Sequence, residues 1–168
     1  MTEAATADAR LEVSPGLEAR VRGLLARDSV DPDELDELWA ALPPASIDDL
    51  IGRWEGTPVP TGHGLGRVLD GVHWHGKQMR SANDVSPIVC RQEDGSLVDN
   101  VELARGGASL WMVAFRDEVT ATMVYDGMAT FDHFKRAGDG LLLGVMNGKD
   151  VLHRGRHFWF VLESEGPA

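Results

Sequence analysis

A chain of 168 residues, 43% hydrophobic and 26% charged, has the size and composition of one soluble globular domain. Its formal charge of −11 excludes the basic footprint that nucleic acid or an anionic membrane surface requires. The N-terminal stretch MTEAATADAR is acidic with no apolar run behind it, and so reads as neither secretory signal nor membrane span.

Residues 1–14 are polar and aperiodic, and are expected to be disordered. One domain is expected over 15–168, with helices over 15–50 and a β-barrel over 51–163. Leu17, Val21, Leu24 and Leu25 fall on one face of a helix running from Pro15 to Arg27. Asp31-Pro32 is a helix start, an N-cap followed by proline at the first helical position. That second helix carries Leu35, Leu38, Trp39 and Leu42 and stops at Pro43-Pro44. Ser46-x-x-Asp49 has the form of a capping box opening a third, short helix.

From Ile51 the runs shorten and Asp-Gly pairs recur at 70–71, 94–95, 126–127 and 139–140, each a hairpin signal. Strands are predicted near 51–58, 68–80, 86–93, 96–103, 108–116, 118–125, 129–136, 140–147 and 156–163. In the last, Phe158, Phe160 and Leu162 alternate with Trp159 and Val161, so both faces are apolar and both should be covered. Nine short strands at regular spacing suggest a sandwich or a closed up-and-down barrel. The single Cys90 excludes an internal disulfide, and its place in the apolar run PIVC fits a buried thiol in a reducing cytoplasm.

The stretch VHWHGKQM, 72–79, bears on chemistry most directly. On a regular strand His73, His75 and Lys77 share one face and Trp74 takes the other. Paired imidazoles can hold a metal, but a third ligand is required. His63, His133, His153 and His157 stand at no diagnostic spacing, and Lys77 opposes a cation. No metal site is assigned and no cofactor is implied. The remaining readings are a solvent-facing polar strip, or side chains inside a barrel that orient the polar group of an apolar ligand.

Asp132 and Phe134 share a strand face, and His133 lies on the other with Phe131 and Lys135. A carboxylate inside a barrel is a candidate acid or base, since burial disfavours its charged form. A neighbouring Lys77 would oppose that effect. Asp126 reads as a turn residue. His63, in the loop PTGHGLG, could contact a ligand at a barrel mouth. Trp54, Trp111 and Trp159 are assigned to packing. Met123 and Met146 are candidate lumen lining, because thioethers adapt to irregular apolar shapes.

Several motifs together resemble a known family. Gly52-Arg53-Trp54-Glu55-Gly56, with Leu42-Pro43, Pro60-Thr61-Gly62-His63 and Trp74-x-Gly76-Lys77, resembles the bacterial GXWXG domain. Ala121 to Asp126, Asp132-His133-Phe134 and Leu143 to Met146 resemble the uncharacterised domain that normally follows it. The first motif is also similar to the Gly-x-Trp of lipocalin-type barrels. That likeness implies a mainly β, calycin-like antiparallel β-barrel; the chain departs from it in placing two extra helices first, so that two or three N-terminal helices are expected. The likeness further implies that Trp54 closes the barrel floor, with Arg154 or Arg156 stacked on it. The extra helices would either cap an end or mediate a homodimer.

The expectation is a cytoplasmic barrel binding a hydrophobic or lipid-like small molecule through His63, His73, Trp74, Met123, Phe134 and Met146. The alternative is a small cofactor-free cyclase, isomerase or hydrolase using Lys77, Tyr125, Asp132 and His133.

Overall fold

The computed structural model describes residues 11–168. The disorder expected of 1–14 lies largely outside these residues. Ser14 is ordered enough to cap the first helix, its hydroxyl accepting from the Leu17 amide. The chain runs α1 (Pro15–Leu24), α2 (Pro32–Ala41), α3 (Ile47–Leu50), β1 (Gly52–Pro58), α4 (Leu65–Gly71), β2 (Trp74–Ser81), β3 (Asp84–Arg91) and β4 (Leu97–Asp99). It continues through α5 (Val101–Ala104), β5 (Ala108–Phe115), β6 (Glu118–Tyr125), β7 (Thr130–Gly138), β8 (Leu141–Gly148) and β9 (Trp159–Gly166).

Eight strands close into an antiparallel barrel in the order β2-β1-β9-β8-β7-β6-β5-β3, with β3 returning to β2. Closure is narrow at one seam. β3 meets β5 through the pair Val85–Ala108, while its second half pairs with the short β4. Helix α5 packs against β3 beside that seam.

The expected helix signals act as read. Asp31 caps α2, and Ser46 and Asp49 form the reciprocal capping box of α3. Three of the four Asp-Gly pairs lie in turns. Asp70-Gly71 instead ends α4, where a strand is expected. The reason is legible afterwards: Leu65, Val68, Leu69 and Val72 have helical spacing, and only Leu69 is fully buried. Residues 96–103, expected to be one strand, divide into β4 and α5, because the Asn100 side chain accepts from the Leu103 amide and starts a helix. The β5–β6 turn uses no glycine. Arg116 and Asp117 both hold positive φ, 53° and 63°, as a two-residue hairpin turn of this hand demands.

Two apolar cores lie either side of the barrel wall. The inner one joins Leu50, Trp54, Met79, Met123, Phe134 and Phe160. The outer one packs Val21, Leu24, Leu35, Leu38 and Trp39 of α1 and α2 against Leu143, Val145, Trp159 and Val161. β9 is therefore covered on both faces, as its alternation requires. The two extra helices lie along the wall and do not cap an end. The indole of Trp54 sits in the inner core under α3 and donates to the Leu50 carbonyl at 2.8 Å. Neither Arg154 nor Arg156 stacks on it. β9 runs antiparallel to β1, with Arg53 opposite Gly166 and Pro58 opposite Phe160, so the loop before β9 sits at the other barrel end. There Arg156 donates to the Thr61 carbonyl. Trp111, expected in the core, is 57% exposed.

Candidate functional site

The glycines of the first motif shape the lumen. Gly52 takes φ 148°, a conformation L side chains rarely adopt. A Cβ at Gly56 would lie 2.2 Å from the Trp74 ring, and one at Gly144 would lie 2.4 Å from the Phe160 ring. Both rings thus press closely against bare backbone. Their planes meet edge to face with centroids 6.2 Å apart. Gly76 is as tightly placed, since a Cβ there would strike the Trp54 carbonyl.

β2 does not alternate regularly. Trp74 pairs with Cys90 and Gly76 with Val89, so one extra residue is accommodated between them. This bulge lets Trp74 and Lys77 both enter the lumen and turns His75 away from it. The expected sharing of one face by His73, His75 and Lys77 is therefore wrong. His73 precedes the strand in a turn, exposed, at φ 52°. His75 is buried between Glu165 and Arg91, at 2.9 Å from each. Arg91 donates to Nδ1, so Nε2–H donates to Glu165, and the imidazole is a tie between β2, β3 and β9. Among the described residues no group of three or more His, Cys, Asp or Glu side chains is arranged to hold a metal ion.

A cavity of about 450 Å³ occupies one end of the barrel. Its wall is mostly apolar: Leu65, Leu69, Trp74, Ile88, Leu103, Met128, Met146, Phe158 and Phe160. Lys77, Tyr125 and Asp132 converge on it from β2, β6 and β7. All three are buried, with Asp132 at 2% and Lys77 at 4% exposure. Lys77 Nζ donates to Asp132 Oδ2 at 2.9 Å, to the Pro87 carbonyl at 3.0 Å and to the Tyr125 hydroxyl at 3.4 Å. Tyr125 donates to the same Oδ2 at 3.2 Å. The ammonium also lies 5.1 Å from the Phe160 ring centroid and 5.9 Å from that of Trp74. Burial, reinforced by the Asp132 charge and hydrogen bond, raises the Tyr125 pKa well above the usual phenol value. Its hydroxyl therefore remains a protonated donor.

The mouth is framed by α4 and the β8–β9 loop. His63 Nδ1 accepts from the Leu65 amide at 3.1 Å, so its Nε2–H donates to the Val151 carbonyl at 3.0 Å. The two bonds fix its tautomer and latch loop to helix. The rings of His153 and Phe158 flank it at 5.5 and 5.6 Å. Burial lowers the His63 pKa, and neighbouring His153 and His157 add to the effect.

The remaining expected site residues fall elsewhere. Met123 and Phe134 point inward but belong to the packed floor, both fully buried and away from the cavity. His133 lies outside the wall, as alternation with Asp132 demands. Its ring stacks 4.1 Å from Phe115, with Phe131 beyond at 6.2 Å. Nε2 accepts from Asn147 at 3.2 Å, so Nδ1–H donates to the Thr122 hydroxyl at 2.7 Å. Burial lowers its pKa to about 4, with help from His157 and Arg116. It cannot act with Asp132, because the sheet separates them. Sequence reasoning missed Phe158, Phe160 and the two glycines beneath the rings as site residues. The apolar alternation of β9 was the available signal for the phenylalanines. Among the described residues no helix is long and apolar enough to cross a membrane.

Comparison with known proteins places these features. A family profile described as "GXWXG protein" matches residues 37–95, and one described as "Domain of unknown function (DUF4334)" matches residues 106–164. The two meet in one barrel: Lys77 comes from the first, and Tyr125 and Asp132 from the second. A solved structure, described as the crystal structure of a protein from Thermomonospora curvata, is similar with a TM-score of 0.79 at 33% identity. The match covers 89% of this chain and 99% of that one. No curated protein matches. With both profiles in order and a 33% identical structural relative matched along 99% of its length, the chain belongs to the GXWXG family, in the form that carries the DUF4334 domain.

Proposed function

We propose that this barrel is a cytoplasmic binding protein for a hydrophobic small molecule held in its lumen. One observation carries the reading: a buried Lys77–Asp132–Tyr125 cluster faces an apolar cavity of about 450 Å³. Ligand sites combine an apolar wall with a few convergent polar groups in this way, at volumes of roughly 300–1,000 Å³. Trp74, Met146 and His63 line the same space, and the free, buried Cys90 suits a reducing compartment. Denaturing extraction of purified protein followed by mass spectrometry tests the proposal. A stoichiometric apolar compound that disappears in Trp74→Ala supports it. Protein that neither carries nor takes up any apolar compound overturns it.

A second reading is a cofactor-free isomerase, cyclase or hydrolase. It is favoured by a carboxylate and a protonated phenol sharing one mostly apolar cavity, reduced now to Lys77, Tyr125 and Asp132. Conversion of the extracted compound by wild-type protein, absent in Tyr125→Phe, would favour it over simple carriage.

A further inference from the structure

The polar cluster has an asymmetry that specifies its guest. Lys77 has three protons, and each has an acceptor: the Pro87 carbonyl, Asp132 Oδ2 and the Tyr125 oxygen. The single proton of Tyr125 goes to Asp132 Oδ2 as well. Every donor is therefore engaged. Both bonds to the carboxylate fall on Oδ2, and Oδ1 has no hydrogen-bond partner among the described residues. Asp132 is 2% exposed overall and lines the cavity, so Oδ1 is the acceptor of this cluster that is open to a guest. The cluster also balances in charge, with one ammonium against one carboxylate at 2.9 Å.

We propose that the lumen ligand is a neutral alcohol whose hydroxyl donates to Asp132 Oδ1 and whose hydrocarbon body lies along Trp74 and Phe160. This rests on the binding function proposed above and narrows its ligand class. A carboxylate in the same place would set a second negative charge beside Asp132, and the other lysine on the cavity wall, Lys149, is exposed on the β8–β9 loop rather than buried beside the cluster. An amine would add a second ammonium beside Lys77. A ketone, aldehyde or ether brings only an acceptor to a cluster whose donors are occupied. Discrimination of this kind is strong, because a site built to bond a hydroxyl rejects an analogue lacking it.

The test titrates full-length protein with decanol, decyl methyl ether, decanal and decanoate, read by tryptophan fluorescence and by calorimetry. The expected result is decanol binding at least about tenfold more tightly than each of the other three, the discrimination of one well-formed hydrogen bond to a charged group. Lys77→Met/Asp132→Leu, which removes the pair together, should bind decanol and the ether equally. Ether, aldehyde or carboxylate binding as tightly as the alcohol to wild-type protein would overturn the ligand class while leaving lumen binding intact. Failure of all four to bind would overturn the alcohol assignment, and lumen binding falls with it only if denaturing extraction also yields no apolar compound. A preference for alcohol that survives in the double variant would also overturn the role of Oδ1.

Discussion

Two lysines are buried among the described residues, one on each side of the barrel wall, and their surroundings are opposite. Lys135, 1% exposed, lies under α2 on the outer face. It donates to the Leu42 carbonyl at 2.8 Å, ion-pairs with the half-exposed Glu118 and covers the Trp39 ring. Its charge closes the end of a helix, and its carboxylate partner still touches water. Lys77 sits inside, paired with a carboxylate as buried as itself, on the wall of the cavity. Burial alone therefore does not mark a functional lysine. The useful distinction is whether the partner can be hydrated without the lysine, and whether the pair borders a void.

That contrast can be broken by substitution. Lys77→Met should lower unfolding stability by about 3–5 kcal/mol, because it strands Asp132 as an unpaired buried charge. Lys135→Met should cost less, about 1–3 kcal/mol, since Glu118 can turn to solvent and the Leu42 carbonyl is the main loss. Urea denaturation of both variants decides the order, and the reverse order would refute the contrast. Lys77→Met/Asp132→Leu should recover most of the loss. Next in size is Gly56→Ala. Its methyl would push into the Trp74 ring, and overpacking of this kind costs about 1–3 kcal/mol. The same displacement should narrow the cavity and weaken ligand uptake, seen as a reduced fluorescence response.

His133 offers a gentler probe of the outer side. Its folded pKa of about 4 lies below its ordinary 6.5, so the folded state resists protonation more than the unfolded chain. Its contribution is complete above the unfolded value and is lost as pH falls through that window. Melts between pH 7 and pH 4 should show this decline, and His133→Gln, which takes up no proton, should flatten it. The smallest effect is expected at His73, exposed and outside the strand. His73→Asn tolerates the positive φ and should change stability by less than about 0.5 kcal/mol, with ligand uptake unaltered.

The barrel was readable in the sequence because its walls are long period-two runs. That Asp132 and Phe134 share one face and His133 takes the other follows from the alternation of β7 alone; which face turns inward does not. What alternation cannot encode is a bulge. One accommodated residue between Trp74 and Gly76 shifts Lys77 onto the Trp74 side and removes the histidine pair from the chemistry. Likewise, α4 and α5 are single turns or two, where a few apolar residues fit helix and strand equally and the local caps decide. Met123 and Phe134 face inward as expected, but whether an inward residue lines a void or fills a floor depends on neighbours distant in sequence.

Gly56 and Gly144 carry a consequence for how such barrels diversify. Each recesses an aromatic ring into the wall, so the room inside depends on wall thickness as much as on the residues that show. Capacity and recognition therefore sit on separate dials. A methyl group beneath either ring would narrow the chamber while leaving Lys77, Tyr125 and Asp132 in place. On the binding function proposed above, relatives that vary at these two positions would accept guests of different girth and meet them with the same polar cluster.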